Sequence, residues 1–256
     1  MRLPAFCLLK MRLPSCFETF RIGIFASNQL VFTPRDARVF LLPLSNGVFE
    51  PMADQLINGN GGSLQVRPIW HDADAVAVIC HPHPLMGGTM DNKVATTLAR
   101  FFRNHGISTV QFNFRGVGES TGQHADGIGE IDDLYSVLDW VATQTPARRL
   151  YLAGFSFGGY IAAAGADRLA RLNPHHFILE KLYLVAPAVE NYPMNALQLP
   201  ADTLVLVGVD DEVVAPEAII AWANRGHYDV AIIPETGHFF HGHLPAIGTQ
   251  LERRYP

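Results

Sequence analysis

The sequence predicts an α/β protein: a mostly parallel, twisted sheet with helices on both faces and no cap domain. Three observations carry this. Ala75 to Cys80 is a continuous apolar run that suits a strand covered from both sides, and Ser108 to Phe114 reads as another buried strand. Segments of helical period separate them, so strand and helix alternate along the chain as a parallel sheet requires. The third is Leu150 to Gly165, where an apolar strand stops at Gly154, turns at Ser156 and enters a helix of small residues at once.

The elements follow in order. Asn58-Gly59-Asn60-Gly61-Gly62 reads as a hairpin turn, and Leu64, Val66 and Ile69 beyond it as a half-buried strand. Ala75 to Cys80 leads into a stiff loop, His81 to Thr89, after which Asp91 or Asn92 caps a helix from Lys93 to about Asn104. Ser108 to Phe114 leads into Arg115 to Ser120 and a helix from about Ile128 to Ala142. After the small-residue helix come strands at Leu182 to Ala186, Thr203 to Val207 and Val230 to Ile233, with helices at Ala215 to Asn224 and His243 to Glu252. Ligands in such sheets sit at the carboxyl ends of the strands, so the loops after Cys80, Phe114, Ala153, Val207 and Ile233 share one rim. Pro187 to Asp202, where a cap would enter, is about sixteen residues and too short for a domain.

Composition bounds the rest. The chain has 256 residues, 48% hydrophobic and 17% charged, enough for one large core over 56–256. A net charge of -5 gives no basic footprint for nucleic acid or an anionic membrane. Cys7, Cys16 and Cys80 are too few and scattered for a disulfide framework, which fits a reducing, cytoplasmic setting. No apolar run has the length of a membrane span. Residues 1–55 read as an N-terminal extension in which Met1-Arg2-Leu3-Pro4 recurs as Met11-Arg12-Leu13-Pro14. Lys10, Arg12 and Pro14 interrupt the apolar segment that a secretory signal needs, and Met52 is an alternative start. Monomer and homodimer both remain open.

The chemistry centres on Gly154-Phe155-Ser156-Phe157-Gly158. A side chain at the apex of a strand-to-helix turn forces strained backbone, and its neighbours two residues away must be glycine-sized. A serine hydroxyl needs an imidazole to take its proton and a carboxylate behind it to fix the tautomer. Asp210 and Asp211 follow the strand ending at Val207, and His238 follows the strand ending at Ile233. The order serine, aspartate, histidine is that of a nucleophile-elbow hydrolase. A metal reading of His81-x-His83 and His241-x-His243 lacks the spacing of a helical metal motif and leaves the serine turn unexplained.

These residues resemble the α/β-hydrolase superfamily from about residue 58 onward. More narrowly, they resemble its small capless bacterial serine hydrolases and carboxylesterases, whose loop reads His-Pro-His-Pro and then Gly-Gly-Thr-Met-Asp-Asn-Lys, here His81 to Lys93. Asn113-Phe-Arg-Gly-Val-Gly-Glu-Ser120 belongs to the same pattern, although many relatives carry aspartate where this chain has Asn113. The resemblance implies a triad of Ser156, His238 and Asp211, with Asp211 chosen over Asp210 by its spacing from Gly208. His241 then lines the rim or, like His243, is a surface residue with no role. The backbone N–H groups of Phe157 and His83 are the expected oxyanion hole, with Leu85 as the alternative to His83, since Pro82 and Pro84 have no N–H. Leu85, Phe155, Tyr192 and Phe239 are the expected substrate rim. An open site suits short acyl esters, so the expected activity is a carboxylesterase working through an acyl-enzyme on a small-molecule acyl substrate, with no cofactor and no metal. Thioesterase, peptidase or lactone hydrolase activity, or a non-catalytic scaffold used for binding, are the alternatives.

Overall fold

The computed structural model describes residues 53–71, 73–172 and 176–255. The expected extension over 1–55 and the start at Met52 lie outside them, except for residues 53–55. All described residues belong to one compact unit, Gly47–Pro256.

The strands are β1 (Gln55–Gly59), β2 (Gly62–Ile69), β3 (Ala75–Cys80), β4 (Ser108–Phe112), β5 (Arg149–Phe155), β6 (Ile178–Val185), β7 (Leu204–Gly208) and β8 (Asp229–Ile233). They form one sheet in the order β1-β2-β4-β3-β5-β6-β7-β8. β1 and β2 make an antiparallel hairpin closed by Gly59 opposite Gly62, β2 runs antiparallel to β4, and every other pairing is parallel. The helices are α1 (Lys93–Asn104), α2 (Ile128–Gln144), α3 (Phe157–Arg171), α4 (Pro216–Arg225) and α5 (Leu244–Glu252).

Alternate residues of a strand point to opposite faces, and β5 shows what covers each. The Tyr151 ring meets Phe102 of α1 and Tyr183 of β6, with ring centroids 5.4 and 6.4 Å away. Its neighbour Leu152 faces the other way, toward Gly165 of α3 and Leu134 of α2. Helices α1 and α5 therefore pack together on one face and α2 and α3 on the other. Gly165 sets that second contact, since a Cβ there would stand 2.5 Å from Leu134 Cδ2. Asn92 caps α1 through its side-chain oxygen, which accepts from the Val94 N–H at 2.9 Å.

Several features differ from the sequence reading. β2 does not alternate between buried and exposed residues: Leu64, Gln65 and Val66 are all covered, and the buried Gln65 amide is satisfied by Asn113 and Asp54. The domain also takes in Asp54, which pairs with Arg67, and Gln55, the first residue of β1. β6 begins at Ile178, four residues before the expected strand, because its first half, Ile178 to Lys181, is exposed or half-buried and includes Glu180, which pairs with Arg149 of β5. The connection from β6 to β7 contains one short 3-10 turn, Met194–Ala196, and among the described residues no cap domain is inserted. Among the described residues no helix is long and apolar enough to cross a membrane.

Candidate active site

Ser156 sits between β5 and α3 with φ 54° and ψ -116°, in the left-handed region that residues with a side chain rarely occupy. The strain is tolerable only because both neighbouring glycines let backbone close in. A Cβ on Gly154 would be 2.0 Å from Gly158 O, and one on Gly158 would be 2.2 Å from Cys80 O and 2.5 Å from His81 O. The turn is therefore pressed against the end of β3, which brings the start of α3 beside the loop that follows His81.

Two other rim loops reach the serine. His238 Nε2 lies 3.0 Å from Ser156 Oγ, and His238 Nδ1 lies 2.8 Å from Asp211 Oδ2. All three are close to fully buried, at 9% exposure for Ser156 and 2% for His238. Asp211 Oδ1 accepts from the Val213 and Val214 N–H groups at 2.9 and 2.8 Å, which fixes the carboxylate and leaves Oδ2 for the imidazole. With Nδ1–H donating to Asp211, Nε2 is the acceptor that faces the serine hydroxyl. Asp210 is exposed, and its backbone N–H donates to Thr236 O.

The loop after β3 holds two histidines with different surroundings. His81 is fully buried: its Nδ1–H donates to Pro82 O at 2.7 Å, and its Nε2 accepts from the Phe114 N–H at 3.0 Å. Burial pushes its pKa down to about 3, and the Pro82 carbonyl offsets this only in part. Neither nitrogen is left for a metal. His83 is half-buried, with its ring 5.0 Å from that of Phe157 and 4.8 Å from that of His124. Burial, and then His124, hold its pKa below the usual imidazole range, against the pull of Glu130 and Asp126. His83 Nδ1 accepts from the Leu85 N–H at 3.2 Å. Leu85 is thus engaged, whereas among the described residues no acceptor takes the backbone N–H of His83 or of Phe157.

The expected rim divides. Leu85 is 73% exposed, Phe239 is exposed, and the half-buried Tyr192 ring lies 5.3 Å from Phe157 and stacks on Tyr160. Phe155 differs from its expected place on the rim. As the last residue of β5 its side chain points into the core, 5.1 Å from the His238 ring and 6.4 Å from Phe240, so it supports the histidine and does not line an open surface. His241 is exposed, but His243 is not a bystander, because its Nδ1 lies 2.6 Å from Thr236 Oγ1. Among the described residues there is no group of three or more histidine, cysteine or acidic side chains placed to hold a metal ion.

Several residues at the site had no signal in the sequence. His124 has Nδ1 2.9 Å from the buried Glu130 carboxylate, at ion-pair distance but without hydrogen-bond alignment. Thr236 carries the backbone contact with Asp210. Glu212 accepts from the His238 N–H. Thr236 and Glu212 meet their partners across two loops, whereas His124 and Glu130 lie six residues apart around the start of α2.

Residues 71–201 match the family model described as serine aminopeptidase, S33. The chain is 33% identical over 177 residues to an uncharacterised protein of Rickettsia prowazekii, a span that covers 64% of this chain and 71% of that one. Among solved structures, an alpha-beta serine hydrolase homologue from Coxiella burnetii superposes with a TM-score of 0.73 and 38% identity, over 82% of this chain and all of that one. XC6422 from Xanthomonas campestris, described as an a/b serine hydrolase without lid, gives a TM-score of 0.72 and 36% identity over 83% and 96% of the two chains. By the family-model match over half of its length and by its likeness to these serine hydrolases, the chain belongs to the α/β-hydrolase superfamily, among its lidless serine hydrolases.

Proposed function

We propose that the protein is a carboxylesterase for short acyl esters, with Ser156 as nucleophile, His238 as general base and then acid, and Asp211 as the orienting carboxylate. The observation that carries this reading is the continuous relay of 2.8 and 3.0 Å contacts from Asp211 through His238 to Ser156. In the forward step Ser156 Oγ attacks the ester carbonyl as its proton passes to His238 Nε2. Asp211 stabilises the imidazolium, and His238 then protonates the leaving alkoxide. Water attacks the acyl-enzyme by the same route, releases the acid and restores the serine. The backbone N–H groups of Phe157 and His83 hold the developing oxyanion, a reading supported by their lack of other acceptors. Each such donor typically lowers the barrier by about 3 kcal/mol.

Short acyl chains are supported by the lack of an inserted cap among the described residues, because a long chain needs a covered apolar channel to leave water. Leu85, Tyr192 and Phe239 flank the substrate. The name of the matching family model supports a second reading, an aminopeptidase with the same triad, since the same nucleophile and oxyanion hole serve amides. The test is fluorophosphonate labelling mapped by peptide mass spectrometry, with p-nitrophenyl esters of increasing acyl length run beside aminoacyl p-nitroanilides. Labelling at Ser156 with fastest turnover of acetate and propionate is expected. Preference for the anilides would replace esterase by peptidase, and an unlabelled but folded protein would remove both.

A further inference from the structure

We propose that Glu212 is a positioning residue for the base: its side chain ties the loop after β8 to the loop after β7 and sets His238 against Asp211. The inference rests on the triad reading above. The two loops meet as a ladder. Val209 N–H donates to Ile233 O and Asp210 N–H donates to Thr236 O, both at 3.0 Å, and His238 N–H donates to Glu212 Oε2 at 3.1 Å. The first two rungs use backbone alone, so many sequences could form them. The third uses a side chain, and it fastens the main chain of the one residue whose ring must meet both Asp211 and Ser156.

Adjacent residues thus hold the same histidine at two points. Asp211 Oδ2 takes the ring Nδ1–H and Glu212 Oε2 takes the main-chain N–H, which together leave the imidazole little freedom to swing from the serine. Gly237 is the residue that permits this approach, since a Cβ there would stand 2.7 Å from Glu212 Oε2. The histidine loop needs such a tether. Glu235 and Phe240, on either side of His238, have φ of 52° and 54°, so the loop holds a shape that its own residues disfavour. Thr236 anchors one end through Asp210 and His243. Glu212 anchors the histidine itself, and because its side chain reaches solvent its contribution to core packing is small.

The test compares full-length wild type, Glu212→Ala and Glu212→Gln by kcat and KM on p-nitrophenyl acetate, rate of fluorophosphonate labelling, thermal midpoint, and hydrogen exchange of the peptide spanning 236–240. Loss of the tether should lower kcat and the labelling rate about tenfold in Glu212→Ala, since small misplacements of a reacting group cost that much or more. KM should stay within about twofold, and exchange at 236–240 should quicken. Glu212→Gln keeps an oxygen acceptor and should recover most of kcat and the slow exchange. The proposal is overturned by wild-type kcat in Glu212→Ala, by a change confined to KM, which would make Glu212 a substrate contact, or by a glutamine variant as impaired as alanine. Exchange reads the tether without turnover. A wild type that neither labels nor hydrolyses would therefore count against the triad reading, and unchanged exchange in Glu212→Ala would count against the tether.

Discussion

The loop after β3 and the loop after β8 each present a buried histidine at the carboxyl end of a strand of the same sheet, and the two residues have opposite fates. His81 faces a carbonyl at 2.7 Å and an amide N–H at 3.0 Å. His238 faces a carboxylate at 2.8 Å and a hydroxyl at 3.0 Å. The first pair cannot exchange a proton at neutral pH, so His81 holds the end of β3 to Phe114 beyond β4 and remains neutral. In the second pair the hydroxyl can yield a proton and the carboxylate can stabilise the charge that results. The chemistry of an imidazole is decided by the atoms beyond its two nitrogens.

The comparison breaks most visibly at the triad. Ser156→Ala and His238→Ala should each reduce kcat on p-nitrophenyl acetate by about 10⁵-fold while the thermal midpoint stays near that of the wild type, because triad members act as a unit. Asp211→Asn should lower kcat by about 10⁴-fold through the wrong tautomer, and Asp210→Asn should stay within about twofold, since that side chain is solvated. Steady-state rates on the four purified variants check this. A large fall in Asp210→Asn with Asp211→Asn active would move the acid by one residue and undo the contrast between the two histidine loops.

The β3 to β8 framework was legible in the sequence, and so were Ser156, Asp211 and His238, the proposed triad, as residues of neighbouring rim loops, because each follows a strand end and the elbow has a compact local signature at Gly154, Ser156 and Gly158. The sequence's resolution failed where meaning depends on facing loops. The His81-x-His83 pair reads as one motif, yet one member is structural and the other borders the site. Phe155 reads as rim because it neighbours the nucleophile, although it ends a strand buried on both faces and packs against His238 and Phe240. Glu212 and Thr236 carry no pattern, since their partners lie on a loop more than twenty residues away.

The structural role of His81 is sharpened by stability measurements. Replacing it by alanine leaves the Phe114 N–H without its acceptor and a void beside the Phe114 ring. The expected loss is about 3 kcal/mol in urea unfolding at pH 7. The pH dependence has a definite sign. The folded pKa is depressed to about 3 while the unfolded value is about 6.5. Between these values the unfolded chain binds the proton and the native one does not, so stability is complete above pH 6.5 and falls as pH drops toward 3, by up to about 1.4 kcal/mol per unit. His81→Gln should flatten that limb by about one proton. An unchanged slope would mean that His81 protonates in the native fold and is not locked between its two backbone partners.

The smallest effect is expected at Asn113, within the side-chain network that follows β4. Its Oδ1 accepts from the Met90 N–H at 2.8 Å, and its amide donates to Gln65 Oε1 at 2.7 Å. The same Gln65 oxygen also takes the Glu119 N–H, while the Gln65 amide donates to Asp54. Asn113→Asp keeps the first contact but sets a carboxylate against the Gln65 oxygen. Turning the Gln65 amide over would only shift the clash to Asp54 and leave the Glu119 N–H without an acceptor. Asparagine here matches glutamine at 65, and the substitution should cost about 1–2 kcal/mol of stability. The kcat should remain within about twofold, because this network braces the turn after β4 and touches no triad residue. If Asn113→Asp instead lowers kcat with stability intact, the loop after β4 takes part in catalysis, and the division between bracing and reacting loops would have to be redrawn.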